Sequence, residues 1–182
     1  MVADLGTGDG RAVLARARAE PRSLVLGVDA AAAAMNEASR RASRRGPANV
    51  LFLAAGAESL AGTVLAGTVD LVTVTFPWGS LLRGVLGLDA AALAGVAALV
   101  APGGRVGVLA SVVPLDGVEG IASLDATCEP EIRRAWSPLG FHLVSMRPAT
   151  TADIAASGSS WARRLHATRD ARVVWRLELC RP

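Results

Sequence analysis

Residues 4–10 read Asp4-Leu5-Gly6-Thr7-Gly8-Asp9-Gly10, and this stretch decides the fold. An apolar segment leads into it. A helical pattern, RAVLARARAE, leads out, with Val13, Leu14 and Ala17 on one side. The glycines are spaced G-x-G-x-G. The dinucleotide fingerprint is G-x-G-x-x-G, so this is not the usual nicotinamide loop. No Gly-Lys-Ser/Thr follows, so it is not a Walker A loop either. A tight turn at the carboxyl end of a strand lets backbone approach a ligand, and Gly6 and Gly8 supply the room. Asp4 at the mouth suits a ligand that carries an amino group. Asp29, 19 residues beyond Gly10, closes the next apolar run, SLVLGVD, where a carboxylate can grip two ribose hydroxyls. An amino acid, a sulfonium and a ribose in one molecule describe S-adenosylmethionine.

Outward from the loop, short apolar runs alternate with helical patterns, which predicts an α/β fold with a mainly parallel sheet. After SLVLGVD comes a helix, AAAAMNEASRRASRR, closed by Gly46-Pro47, then a strand, NVLFLAA, and a short helix, AESLAGTVL. VDLVTVT is a fourth strand, ending in a loop, FPWGSLL. Helical segments follow to about Val100, then a turn running into a fifth strand, APGGRVGVLAS. EPEIRRAWSPLGF reads as a helix and turn. FHLVSMRP and ARVVWRLELC alternate apolar and polar residues, as antiparallel edge strands do. That makes seven strands, with the last one antiparallel. A long connection, about residues 149–170, separates the final two and is read as a functional loop. No internal repeat or linker divides residues 1–182, so a single domain is expected.

Composition narrows the class. Half the chain is apolar (52%) and 19% is charged, which excludes a disordered chain. No long uninterrupted apolar run and no secretory signal are evident, so no membrane partner is expected and the location reads as cytoplasmic. Cys128 and Cys180 lack metal or redox spacing and read as free thiols; no metal site is expected. All 19 basic residues are arginine, yet the net charge is only +3, so overall charge says little about nucleic acid. The arginine clusters say more. Arg40, Arg41, Arg44 and Arg45 share one helical side, away from Met35, Ala38 and Ala42, and lie at a helix end whose dipole favours cations.

Two further segments fit the methyl donor. Ala57 and Glu58, in AAGAESL, follow the third strand, where an adenine ring would lie. Thr75-Phe76-Pro77-Trp78 follows the fourth strand and faces the donor. Many methyltransferases acting on exocyclic amines carry Asn/Asp-Pro-Pro-aromatic here. This sequence lacks the Asn or Asp that would accept a hydrogen bond from an attacking amine, which points to a ring nitrogen as nucleophile.

Taken in order, DLGTGDGR, AAGAESL, FPWGSLL and SSWARRL resemble the aminoglycoside-resistance 16S rRNA (adenine-1408) N1-methyltransferases, over essentially the whole chain. The first motif is shared widely; FPWG together with SSWARRL is far more specific. The resemblance implies a class I S-adenosylmethionine-dependent, Rossmann-like fold. It implies a target adenine flipped between two tryptophans, Trp78 and Trp161, and places Ser159 near the cofactor. It also implies rRNA contacts from Arg164 and Arg169 in the long connection and from Arg40, Arg41, Arg44 and Arg45. The implied partner is the 30S subunit at its decoding region, with the enzyme acting as a monomer. Family members usually begin further upstream with a complete first strand. Here the loop starts after three residues, so the first strand reads as truncated, from an N-terminally shortened form or a start codon placed too late.

The chemistry suits these residues. Adenine N1 carries a free lone pair at neutral pH, so no general base is needed, and His142 and His166 read as packing or phosphate-facing groups. Base flipping costs a few kcal/mol, and stacking on an aromatic face returns roughly 1–3 kcal/mol per base. Trp136 and Trp175 read as core residues. Three other functions remain open: a tRNA guanine-N7 methyltransferase, a small-molecule methyltransferase, and a non-catalytic RNA-binding protein that keeps the cofactor fold.

Overall fold

The computed structural model describes residues 1–159 and 172–182. Its centre is a seven-stranded sheet in the order β3-β2-β1-β4-β5-β7-β6. The strands are β1 (Val2–Leu5), β2 (Val25–Asp29), β3 (Val50–Ala54), β4 (Val69–Thr75), β5 (Val100–Ala110), β6 (His142–Pro148) and β7 (Trp175–Cys180). β1 has four residues, and all four pair in parallel with both β2 and β4. β7 runs antiparallel to β5 on one side and to β6 on the other.

Each face of the sheet is covered where apolar side chains call for it. On one face α1 (Arg11–Ala19) and α2 (Ala32–Arg45) pack Val13, Leu14, Ala17 and Ala38 over Val25 and Val50. On the other, α3 (Gly79–Val85), α4 (Ala90–Leu99) and α5 (Glu129–Trp136) close the larger cluster, which includes Leu82, Val96, Ile132 and Trp136. The Trp136 indole is fully buried, meets Phe141 edge-on at 5.0 Å, and donates to the Val85 carbonyl at 3.0 Å. Trp175 is also buried, so both tryptophans read as core residues are core residues. α4 is apolar all round; it buries Ala92, Leu93, Gly95, Val96, Ala97 and Leu99, and its more exposed side carries only small alanines, Ala91, Ala94 and Ala98. Among the described residues no single helix is long and apolar enough to cross a membrane.

Four local expectations change. AESLAGTVL forms only a 3-10 turn, Ala57–Ser59. Gly62 and Gly67 adopt left-handed backbone, and the Thr63 hydroxyl bonds back to the Leu60 carbonyl at 2.9 Å, which stops a helix. FPWGSLL is not all loop, since α3 begins at Gly79. β7 is not an edge strand but lies inside the sheet, and β6 forms the edge. Alternation reports that one face is polar, not where a strand sits. Finally, the long connection opens with a helix, α6 (Thr151–Ala156), capped by a reciprocal Thr150–Asp153 box. The Pro102-Gly103 turn is present as a bulge inside β5: Val100 pairs with Val69 and Arg105 with Leu71.

Candidate active site

The crevice lies beyond the carboxyl ends of the strands, where parallel α/β sheets bind ligands. β1 delivers the glycine loop. Gly6 has φ 71 and packs so closely on Leu81 that an added Cβ would sit 2.9 Å from its Cδ2. The loop is then tied to β2. The Gly8 N–H donates to one oxygen of Asp29 at 2.8 Å, and the Ala31 N–H donates to the other at 2.8 Å. Asp29 thereby sets the loop and the start of α2 against each other and keeps a lone pair on each oxygen for a ligand.

Asp4 sits below the loop. Its carboxylate accepts from the Thr73 hydroxyl at 2.7 Å. Burial pushes its pKa above the usual carboxylate value; the hydroxyls of Thr73 and Thr7 and the charge of Arg16 pull it back in part, and the Asp29 charge adds to the rise. A buried acid held this way gains most from a cationic ligand group.

The third wall follows β3. The turn Ala57–Ser59 is pressed onto α4, where an added Cβ on Gly95 would lie 1.8 Å from the Ala57 carbonyl oxygen. Only glycine lets α4 approach that closely.

The fourth wall follows β4. Phe76 is buried and has φ 50, a left-handed conformation that costs a non-glycine residue about 1–3 kcal/mol. Packing with Leu109 and Val174 holds it there. The turn it makes throws Trp78 outward, half exposed at 50%, at the entrance of α3.

These walls enclose one cavity of about 470 Å3, within the roughly 300–1,000 Å3 range of small-molecule sites. Asp4, Gly6, Gly8, Asp29, Ala57, Glu58, Thr75, Phe76, Pro77, Trp78 and Ser159 all line it. Sequence reading missed Thr7, Asp9, Ala12, Leu60, Ser80, Leu81, Ser157 and Gly158, which also line it. Thr73 was missed as the group that holds Asp4. Trp161, Arg164 and Arg169, with Arg163 and His166, lie outside the described residues. Arg40, Arg41, Arg44 and Arg45 are all exposed on α2; Arg40 and Arg44 lie away from buried Met35 and Ala38, whereas Arg45, seven residues beyond Ala38, shares its side of the helix and Arg41 flanks it. At 1.5 Å per residue they lie about 15–20 Å along the helix from the cavity rim. Arg41 bonds Glu37 at 2.8 Å. His142 is exposed on β6, away from the cavity.

The donor set fits S-adenosylmethionine. Acidic groups surround a space for a cation-bearing ligand, Asp29 offers both oxygens to a diol, and Ala57 gives an apolar wall for a purine. Sheet order, tied glycine loop and cavity together define a class I S-adenosylmethionine-dependent methyltransferase.

The sequence model of the NpmA family, described as 16S rRNA (adenine(1408)-N(1))-methyltransferase, matches residues 1–179. The chain belongs to this family. A 16S rRNA (adenine(1408)-N(1))-methyltransferase of Streptoalloteichus tenebrarius is 36% identical over 180 residues, spanning 93% of this chain and 82% of that protein. The crystal structure of a variant of the Catenulisporales acidiphilia enzyme with cosubstrate SAM superposes with a TM-score of 0.86 at 30% identity, covering 99% of this chain and 84% of that one. A Thermus thermophilus tRNA (guanine-N(7)-)-methyltransferase is 45% identical over 78 residues, only 42% of this chain and 25% of that protein. The likeness to the tRNA enzyme is thus local, whereas the likeness to the Streptoalloteichus rRNA enzyme spans nearly all of this chain.

Proposed function

We propose that this chain transfers the methyl group of S-adenosylmethionine to N1 of adenine 1408 of 16S rRNA within the 30S subunit, and so protects ribosomes from aminoglycosides that bind the decoding centre. One observation carries the reading: Trp78 stands half exposed at the mouth of the same cavity that the Asp29-tied glycine loop lines. An indole thus lines the same cavity as the donor loop, where a base brought to the methyl group would stack.

The bound cofactor supplies a methyl group on a sulfonium. The protein's own part is to hold and orient. Asp29 takes the ribose hydroxyls, Asp4 the amino group, and Ala57 and Glu58 flank the adenine ring. Thr75 and Pro77 shape the floor between donor and target. Trp78, with Trp161, stacks the flipped base and tolerates the positive charge that methylation at N1 leaves on it. Ser159 closes the cofactor side. N1 loses no proton on methylation, so positioning carries the rate; orientation alone can supply about 7–11 kcal/mol of barrier reduction.

Arg40, Arg41, Arg44 and Arg45, with Arg164 and Arg169, contact rRNA phosphates. The protein works as a monomer in the cytoplasm. The test is incubation with purified 30S subunits and labelled cofactor, followed by mapping through blocked reverse transcription. A stop at adenine 1408 is expected. Label incorporated elsewhere, or none, refutes the reading.

A further inference from the structure

β6 and β7 set two arginines directly opposite each other: Arg147 pairs with Arg176 in the register, on one face of the sheet. Like charges in that position repel. The carboxylate between them is Asp153, the third residue of α6, whose side chain is only 10% exposed. It accepts from both Arg147 terminal nitrogens, at 2.8 and 3.2 Å, and from Arg176. Arg176 is held in turn by Glu178. The same carboxylate caps α6 by accepting the Thr150 N–H at 2.7 Å and the Thr150 hydroxyl at 2.8 Å. The next residue, Ile154, packs against the cluster formed by Phe76, Leu109 and Val174. Phe76 is the buried, left-handed residue that aims Trp78. Beyond α6 the chain runs directly into Ser157, Gly158 and Ser159, which line the cavity. Gly158 faces α1 there, with an added Cβ 3.6 Å from the Ala12 side chain.

We propose that Asp153 is a positioning residue for methyl transfer. By bonding Arg147 and Arg176 it docks α6 on the sheet, and α6 holds two walls of the cavity in register: Ser157–Ser159 on one side and the Phe76–Trp78 turn on the other. Asp153 touches neither cofactor nor base. It acts through Ile154 on Phe76 and through the chain on Ser157. The inference rests on the proposed methyl transfer for its effect on rate; the docking itself does not.

Asp153→Asn tests it. An amide keeps the shape and one cap acceptor but loses the charge that both arginines face. The single-turnover methylation rate on 30S subunits should fall about tenfold to a hundredfold, the scale of a misplaced reacting group. Cofactor affinity, set by Asp29 and the glycine loop, should change far less. Amide hydrogen exchange should quicken both in residues 151–157 and in residues 76–78, while β1 and α1 keep wild-type protection. Arg147→Gln, at a half-exposed position, should give the same pattern at lower amplitude and guards against a variant that fails to fold. Thr150→Ala, which removes only the cap, should loosen α6 with a smaller loss of rate.

Faster exchange confined to residues 151–157 would overturn the coupling. Faster exchange in both segments with an unchanged rate would overturn the positioning role. A wild-type protein that methylates no 16S rRNA would refute the functional reading alone, and the exchange comparison would still decide whether Asp153 ties the two walls.

Discussion

Asp29→Asn isolates what one carboxylate does for this cavity. In the protein both oxygens accept a backbone N–H, from Gly8 and from Ala31, each at 2.8 Å. An asparagine side chain has one acceptor oxygen. Whichever way its amide turns, its NH2 faces a backbone donor, and that donor loses its partner. Leaving one such group unsatisfied costs about 1–3 kcal/mol, and a charge-assisted bond to a ribose hydroxyl weakened by neutralisation costs about 1.5–3 kcal/mol more. The first cost falls on the free and the bound protein alike and lowers stability; the second falls on binding alone, so Kd for S-adenosylmethionine should rise by about tenfold to a hundredfold. Isothermal titration with S-adenosylmethionine and with its demethylated product measures this directly. Both ligands carry the same ribose, so both should weaken equally. A folded variant whose affinity for both stays close to wild type would refute the assignment of Asp29 to the ribose. Unequal loss would move Asp29 toward the sulfonium end.

Asp4 should make cofactor affinity pH-dependent. Its pKa is raised by burial, so as pH falls the carboxyl takes up a proton before an ordinary aspartate would, and the partner of the ammonium group is lost. Affinity measured by titration should therefore decline on acidification from a higher pH than the usual carboxylate value, and Asp4→Asn should be weak and flat across that range. The sign reverses for the cofactor-free protein. A pKa higher in the folded than in the unfolded state means ionised Asp4 costs stability above the folded value and costs nothing below the unfolded one, so Asp4→Asn should raise Tm at pH 7 and not in acid. Trp78→Ala should reduce methylation at limiting 30S concentration by about tenfold to a hundredfold, the worth of roughly 1–3 kcal/mol of stacking, with cofactor affinity retained; equal loss of both would deny it a base-stacking role. Replacing Arg40, Arg41, Arg44 and Arg45 together by alanine should weaken 30S binding at every site sequence. The slope of log K against log salt should shrink by about 2–3, rather than by four full contacts, because Arg41 already pairs with Glu37. An unchanged slope would place the RNA elsewhere.

The class of fold and the residues that β1, β2 and β3 bring to the cavity were legible along the chain. DLGTGDG, Asp29 and the turn after β3 are local signals: each depends on a few neighbouring residues at the end of one strand, and strand order in a parallel α/β fold brings those ends together. The Thr150–Asp153 capping box is local as well, three residues apart, but the length of the connection masks the short helix it starts. Other features had no local signature. Gly95 matters because the Ala57 carbonyl meets it from another element, and Thr73 because it lies beside Asp4 across the sheet. The Arg147–Asp153–Arg176 dock exists only because β7 inserts between β5 and β6 and sets two cations side by side. Periodicity along one chain records which face of an element is buried. It carries no information about which distant residue stands opposite, and that pairing, decided by tertiary packing, is what turns a glycine loop and an exposed tryptophan into two walls of one cavity.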